Sequence, residues 1–234
     1  MTKDEITKDD NCYYCEGKRY HRVSRVISIH NNYDLDDFFK RNEFVTTEAY
    51  VDDRRDKGTE IHRLVAKIIN ENYVVGDDWW SIDISIRNGV KATLQAIKSL
   101  YIEPVHSEIK MLSDELGVGG TTDLLGKVTD PKYLPVGYWL FDWKSGSIFS
   151  PITKKIYQEI PIQGSTYFHM FSNEYPEIPL QGFCAVRTSQ DTCEWTPKDM
   201  YPILAQDTKP HIKAFMNCLE LYNYHIERYG FPKK

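Results

Sequence analysis

The sequence lacks several features that would assign it to a class at once. No stretch approaches the ~20 consecutive apolar residues of a membrane span, so we expect no membrane partner. The N-terminus is polar and acidic, without a basic segment followed by an apolar one, so we expect no signal peptide. The five cysteines are an odd number without disulfide-like spacing. This pattern is typical of a reduced, cytoplasmic protein.

An excess of positive charge is also missing. The formal net charge is -5 and the isoelectric point is about 5.8. A protein that grips DNA over a broad surface is usually basic. Any contact with nucleic acid is therefore expected in a local channel. The length of 234 residues favours one domain of ordinary size.

Hydrophobic periodicity predicts an α/β fold with a central mixed β-sheet flanked by helices. We assign residues 1–44 to an N-terminal arm and hairpin packed on the core, and residues 45–234 to the main domain. The predicted helices are 34–42, 46–72, 82–101, 153–173 and 208–229, and the predicted strands are a hairpin over 12–30 and the segments 105–112, 117–128, 138–144, 180–188 and 192–195.

Asp142 and Lys144 stand at the end of an apolar run that predicts a strand buried on both faces. Strand alternation places the two side chains on one face, about 7 Å apart, with Trp143 on the other. An acid and an amine there are costly unless they are paired. A divalent metal for Asp142 and a phosphate or water for Lys144 would satisfy both, which suits phosphodiester hydrolysis. The alternative is an ion pair at the sheet edge.

A second acid, Asp123, follows Gly119 and Gly120 and begins another predicted buried strand. The glycines allow the backbone to approach a ligand closely. The alternative is a turn followed by a solvated aspartate. Because the two strands are expected to be neighbours, Asp123 and Asp142 would repel each other unless a cation bridged them. Hard oxygen ligands favour Mg²⁺ or Mn²⁺.

Two helices add polar side chains. Gln163 and Tyr167 share a helix face, so Gln163 can reach a water or carboxylate and Tyr167 can donate to a phosphate or stack on a base. Core packing is the alternative for Tyr167. His62 borders the apolar stripe of its helix and is either a hydrogen-bonded core residue or a ligand beside the two carboxylates.

Positive charge is concentrated near these motifs. The clustered cations are candidates for lining a channel for a nucleic-acid strand, and solvated helix faces are the alternative. The candidate DNA-binding residues are Arg54, Arg55, Lys57, Arg63, Lys154 and Lys155.

Four motifs follow one another along the chain: Gly-Thr-x-x-His at 58–62, Gly-Gly-x-x-Asp at 119–123, Asp-Trp-Lys at 142–144 and Gln-x-x-x-Tyr at 163–167. This order resembles the PD-(D/E)XK nuclease superfamily, in the RecB-like branch of phage-type and mitochondrial genome maintenance exonucleases. The resemblance spans roughly residues 45–190. Residues 17–24 are also similar to an N-terminal segment of phage and mitochondrial members. The resemblance implies a restriction-endonuclease-like core and a nuclease domain over 45–234.

The resemblance implies a metal site as well. Asp123 and Asp142 would hold one or two Mg²⁺ or Mn²⁺ ions, with His62 and the Trp143 backbone carbonyl as further ligands. Glu108 would be an outer-shell carboxylate only. Several relatives carry an iron–sulfur cluster, but the cysteine spacing here departs from theirs, and we expect no cluster. Whether the early Cys-x-x-Cys at 12–15 begins a zinc site or occupies strand positions around a turn stays open.

By the same resemblance, Lys144 would orient or deprotonate the attacking water and stabilise charge on the phosphate, while Gln163 and Tyr167 would position the phosphate backbone. The expected activity is that of a metal-dependent DNA exonuclease acting on ends or single strands. Its expected role is phage-type recombination, replication or repair, in the host cytoplasm if a phage encodes it. The alternatives are a structure- or sequence-specific endonuclease of the same fold and a catalytically silent nucleic-acid-binding protein.

Overall fold

The structure, a computed structural model, describes residues 6–29, 44–73, 76–151 and 153–230. Within these ranges eight strands and five α-helices form one α/β arrangement. The strands are β1 (Thr7–Lys8), β2 (Cys12–Cys15), β3 (Lys18–Arg22), β4 (Ile102–Ser113), β5 (Val118–Val128), β6 (Gly137–Lys144), β7 (Leu180–Arg187) and β8 (Met200–Leu204). The helices are α1 (Val23–Ile27), α2 (Phe44–Glu71), α3 (Ile84–Ser99), α4 (Glu159–Glu174) and α5 (Lys209–Tyr229). Short 3₁₀ turns cover Asp77–Ser81, Pro197–Asp199 and Ala205–Asp207.

The strands of the described residues form one mixed sheet in the order β1-β2-β3-β5-β6-β7-β8, with β4 paired to β5. The β3–β5 and β6–β7 pairs are parallel, and the others are antiparallel. The predicted central mixed sheet flanked by helices is therefore confirmed. The strands β1–β3 extend this same sheet, and the proposed boundary near residue 44 stays a prediction.

Strand β5 is the centre of the sheet and has an unusual set of neighbours. One edge pairs with β4 along its length. The other edge is shared: β3 pairs with it at Val118 and Gly119, and β6 pairs with it only from Leu124 onward. Residues 120–123 are thus left unpaired on that edge. This opening in the sheet determines where polar side chains can gather.

Both faces of the sheet are covered, which explains why β6 is apolar from residue 138 to residue 141. Trp139, Phe141 and Trp143 face a core formed with α3. Leu140 faces the opposite core, where α1, α4 and α5 pack. Trp143 stacks beside Phe141 with ring centroids 5.8 Å apart, which confirms that its side chain points away from Asp142 and Lys144.

The long helix α2 packs on α3 through an apolar stripe. Ile61, Leu64 and Val65 of α2 are buried against Val90 of α3. Gly89 permits this approach, because a Cβ there would lie 2.2 Å from Ile61 Cδ1. The stripe fixes the rotation of α2 and leaves the next residue, His62, at its border. Among the described residues, no helix is both long enough and apolar enough to cross a bilayer.

The predicted elements are confirmed within a few residues for α2, α3, β5, β6, β7 and α5. The hairpin predicted over 12–30 is correct only as far as Arg22. The chain then turns into α1, because Val23, Val26 and Ile27 are buried at helical spacing. The predicted helix 34–42 lies outside the described residues.

Two further predictions are wrong in the second half of the chain. The helix predicted from residue 153 begins only at Glu159, since the preceding residues turn back so that Phe149 and Ile156 form a β-bridge. The strand predicted over 192–195 is not formed. The last strand is Met200–Leu204, which pairs antiparallel with β7 and buries Ile203.

Candidate active site

A cleft of about 750 Å³ lies at the opening beside β5. Its walls come from α2, the N-terminal strands, β4–β6 and α4. All four sequence motifs contribute to it. The motif side chains that line it include His62, Asp123, Asp142, Lys144, Gln163 and Tyr167.

The cleft contains a cluster of one imidazole and two carboxylates. His62 Nδ1 lies 3.1 Å from Asp123 Oδ1. Glu108 completes the cluster: one ligand atom from each of His62, Glu108 and Asp123 lies within 4.8 Å of the other two. The structure thus brings His62 and Asp123 into contact, as the sequence predicted.

Asp123 is fixed by the backbone of the neighbouring strand. Pairing between β5 and β6 stops at Leu124 and Phe141, one residue short of Asp123 and Asp142. In a continuous sheet the Trp143 N–H would donate to a backbone carbonyl. Here it donates to Asp123 Oδ2 over 2.6 Å. The carboxylate is 6% exposed, so this bond orients it firmly.

Glu108 is brought into the cluster by a distortion of β4. Its φ is +58°, in the left-handed region, which costs a residue with a side chain about 1–2 kcal/mol. In the β4–β5 register, Ser107 faces Leu124 and Ile109 faces Thr122, so Glu108 stands across from Asp123. The structure thus places Glu108 with the other ligating groups rather than outside them. In the sequence, only the family resemblance pointed to Glu108, and it implied an outer-shell carboxylate.

A second set of polar contacts runs from β6 to α4. Lys144 Nζ lies 2.7 Å from Asp142 Oδ2 and donates to Gln163 Oε1 over 2.8 Å. Gln163 Nε2 in turn donates to the Tyr167 hydroxyl over 3.0 Å. The Gln163–Tyr167 helix-face pair predicted from the sequence is thus linked directly to Lys144.

Tyr167 serves the core and the site together. Its side chain is 4% exposed and packs with the core on the α4 side of the sheet. Its ring lies over Gly120, where an added Cβ would be 2.3 Å from Tyr167 Cε1. The second glycine of the motif at 119–123 therefore makes room for the tyrosine of the motif at 163–167.

This contact gives a first prediction. Gly120→Ala is expected to lower stability by about 1–3 kcal/mol, because the buried ring must shift and the core around it is already filled. The displaced ring would also disturb Gln163 and Lys144. Urea denaturation measures the first effect. An unchanged midpoint would mean that the ring does not press on Gly120.

Burial and mutual contacts shift the pKa values of the side chains in and beside the cluster. Burial raises the pKa of Glu108 to about 7, and the nearby charge of Asp123 acts in the same direction. Burial also raises the pKa of Asp142. Burial lowers the pKa of His62, but the contact with Asp123 outweighs it and brings the value to about 9. Each of these three groups therefore holds a proton more strongly than it would in water.

The donor set fits a hard divalent metal ion. His62, Glu108, Asp123 and Asp142 offer carboxylate oxygens and one imidazole, which suits Mn²⁺ or Mg²⁺. Asp142 Oδ2 is buried and, apart from the ion pair with Lys144, has no hydrogen-bond partner among the described residues. Of these, His62, Glu108 and Asp123 would hold the ion as one cluster, and Asp142 stays a predicted ligand beside them. The Trp143 carbonyl stays a predicted ligand.

If the cluster binds a divalent metal ion, the melting temperature should rise when that ion is added. At a Mn²⁺ concentration about 100 times its Kd, the folded state gains about 2.7 kcal/mol, which for a chain of this size raises Tm by about 5–10 °C. Asp123→Asn should remove most of this increase, because it removes the negative charge of one of the two carboxylates in the cluster with His62. Differential scanning fluorimetry with and without Mn²⁺ checks this. An equal increase in both proteins would place the ion elsewhere.

Only some of the predicted DNA-binding cations line the cleft. Arg55 and Arg63 do, on the wall formed by α2, where Lys67, which is not among the predicted residues, lines the cleft as well. Lys8 and Arg22 line it from the N-terminal strands and were not predicted. The similarity of residues 17–24 to relatives was the one signal that pointed to Arg22.

The other predicted cations lie elsewhere. Arg54 donates to Gln190 Oε1 and Asp191 Oδ1, each over 2.8 Å, in the loop after β7. Lys57 pairs with Asp53 at 2.9 Å. Lys154 and Lys155 are exposed and are not part of the cleft lining. The sequence could not separate these roles, because neighbouring positions on one helix face different surroundings.

The cysteines do not gather around a metal in the described part of the chain. All five are free thiols. Cys12 is buried and lies 3.7 Å from His21 Nδ1, but within the described ranges the cluster at His62 is the one group of three or more ligating side chains. Cys12 and Cys15 occupy strand β2, as the hairpin alternative predicted.

Among the solved structures that are similar to this chain are two described as exonucleases. One is an alkaline exonuclease, LHK-Exo, from Laribacter hongkongensis, which is 13% identical, with 89% of this chain and 92% of that chain covered and a TM-score of 0.41. The other, provisionally described as an exonuclease, is from Eubacterium rectale and is 15% identical, with 59% and 53% covered and a TM-score of 0.35. No protein-family model and no curated protein matches the chain. Because the sequence identities and TM-scores are this low, the chemistry must be inferred from the side chains of the cleft.

Proposed function

We propose that this chain is a metal-dependent deoxyribonuclease of the PD-(D/E)XK superfamily, in the RecB-like exonuclease branch. The observation that supports this best is that the four motifs, more than 100 residues apart at their extremes, converge in one cleft. An acidic cluster with the donors of a divalent metal site stands there beside a lysine. That combination is what hydrolysis of a phosphodiester anion requires.

The acids and the imidazole would bind Mg²⁺ or Mn²⁺ as one or two ions. When bound, such an ion lowers the pKa of water toward neutrality and neutralises charge that develops on the phosphate. Asp123 is oriented for this by the Trp143 N–H, and Asp142 is held by Lys144. Because both carboxylates are buried, their interaction with a cation is weakly screened.

Lys144 would act as a charge and a hydrogen-bond donor. Burial lowers its pKa, but the adjacent Asp142 outweighs this and raises the pKa above its ordinary value. The side chain is therefore an ammonium, which suits orienting the attacking water and stabilising the phosphate charge rather than accepting a proton. Gln163 holds the ammonium in place, and Tyr167 holds Gln163.

The substrate would be a DNA end or a single strand. The chain carries a net charge of -5, so electrostatic attraction to a polyanion must be local. The cleft supplies it on two walls, with Lys8 and Arg22 on one and Arg55, Arg63 and Lys67 on the other. The resemblance to phage-type exonucleases supports a role in recombination, replication or repair, in the cytoplasm.

Digestion of end-labelled single- and double-stranded DNA with Mg²⁺, Mn²⁺ or chelator tests the proposal. An exonuclease should release label only with metal and leave closed circular plasmid intact. Nicking of the closed circle would assign an endonuclease instead. Binding of DNA without metal-dependent cleavage by the wild-type chain would assign a catalytically silent binding protein.

A further inference from the structure

We propose that Asn70 is a positioning residue that holds β4 in the distorted conformation by which Glu108 reaches the metal site. This inference rests on the proposed function, since it assigns Glu108 to the ion. Asn70 lies near the end of α2, eight residues after His62. Its side chain lies at the border of the cleft and does not belong to any of the four motifs.

The carboxamide of Asn70 makes a two-way contact with the backbone of Ser107. The Ser107 N–H donates to Asn70 Oδ1 over 3.1 Å, and Asn70 Nδ2 donates to the Ser107 carbonyl over 3.3 Å. A primary amide bound in this manner presents a donor and an acceptor side by side, as a neighbouring strand would. Within the described residues, β4 pairs with β5 and with no other strand. Asn70 thus takes the place of a strand partner at one position of the open edge of β4.

That position is the residue before the distortion. Glu108 has its φ of +58° immediately after Ser107. A residue with a side chain keeps such a conformation only where the surrounding contacts impose it. On the far side, Ile109 is held by its pairing with Thr122. On the near side, Ser107 is 2% exposed and is held by Asn70 and by its own Oγ, which donates to the Asp123 carbonyl over 2.7 Å.

Asn70 also ties Glu108 to the helix that carries His62. Eight residues of α-helix span about 12 Å, so the two side chains lie about two turns apart on one rigid element. Glu108 and His62 lie on different parts of the chain, and each contributes a ligand atom to the same cluster. The contact at Ser107 fixes the distance between them without touching the ion itself.

A double-mutant cycle on Mn²⁺ affinity tests this. Calorimetric titration with Mn²⁺ alone would compare wild type, Asn70→Ala, Glu108→Gln and the double variant. Asn70→Ala should weaken Mn²⁺ binding by about 10–100-fold, the usual effect of removing a partner that orients a ligand. In the Glu108→Gln background the same change should cost no more than about 2-fold, because the ligand that Asn70 positions is already lost.

Equal losses in both backgrounds, or no loss in wild type, would overturn the role of Asn70 and leave the proposed nuclease intact. A wild-type chain that binds no Mn²⁺ would overturn both. Asn217→Ala, at an exposed position of α5, is the matched control and should bind Mn²⁺ as wild type does. If Asn70→Ala does not fold, Asn70→Asp keeps the shape and the acceptor. Its added charge alone would strengthen cation binding, so a weaker Kd supports the proposal and an unchanged or tighter Kd contradicts it.

Discussion

Asp142→Asn is expected to reduce metal-dependent cleavage of end-labelled DNA by about 10³-fold. In the proposed reaction a metal held by Asp142 would supply several kcal/mol of charge stabilisation, and ~4 kcal/mol corresponds to a factor of about 10³ in rate. The substitution keeps the volume of the side chain but removes its charge, so Mn²⁺ affinity should fall with the rate. Single-turnover cleavage and calorimetric titration on the same preparation measure the two quantities.

The fold and most of the DNA affinity should survive this change. The neighbouring Lys144 retains its bond to Gln163, so the ammonium keeps a partner. Asp207→Asn, on an exposed turn before α5, is the matched control and should cleave at the wild-type rate. If Asp142→Asn cleaved DNA at that same rate, Asp142 would have no role in the cleavage reaction.

Lys144→Ala is expected to lower the cleavage rate by about 10²–10³-fold while leaving metal binding close to that of wild type. Removing one donor aimed at charge that develops in the transition state usually has an effect of this size. The loss should appear in the rate of the chemical step and hardly in DNA affinity, because the cations on both walls of the cleft remain. The contrast with Asp142→Asn, which should lose the metal as well, separates the two roles.

Lys213→Ala, exposed on α5, provides the comparison for loss of a positive charge outside the cleft. It should cleave normally. If Lys144→Ala also cleaved normally, or if it lost metal and activity together, the ammonium would not act on the phosphate.

The arrangement of β6 and its charged residues could be predicted from the sequence because it depends on short-range rules. Alternation along a strand places Asp142 and Lys144 together and Trp143 opposite, whatever the rest of the fold does. The adjacency of Asp123 and Asp142 required one more assumption, that β5 and β6 pair, and the short connection between them made that the natural choice. The i, i+4 spacing of Gln163 and Tyr167 is equally local.

Glu108 could not be predicted as part of the cluster, because its position depends on a left-handed residue inside a strand. No residue type in that segment signals such a conformation, and the contacts that hold it come from Asn70, 38 residues earlier. Arg54 was assigned to the substrate for a related reason. Its partner Gln190 lies 136 residues away, and only the folded chain brings the two together.

The helix α1, which follows the cleft residue Arg22, was not predicted, because the apolar pattern there fits a strand as well as a helix. Val23, Val26 and Ile27 are compatible with a strand that continues from Arg22, but they are buried at helical spacing in α1. Arg22 is the last residue of β3, and its side chain lines the cleft. A boundary of this kind depends on the long-range pairing of β3 with β5, which no local window contains.

The central claim is that His62, Glu108, Asp123 and Asp142 form one site for a divalent cation. Anomalous scattering from a crystal soaked in Mn²⁺ tests it most directly, because it locates the ion without reference to activity. The account predicts an anomalous peak in the cleft, bound to Asp123 and Asp142 and absent from Asp123→Asn crystals. A cleft without a peak in wild-type crystals, or a peak bound to other side chains, would contradict it.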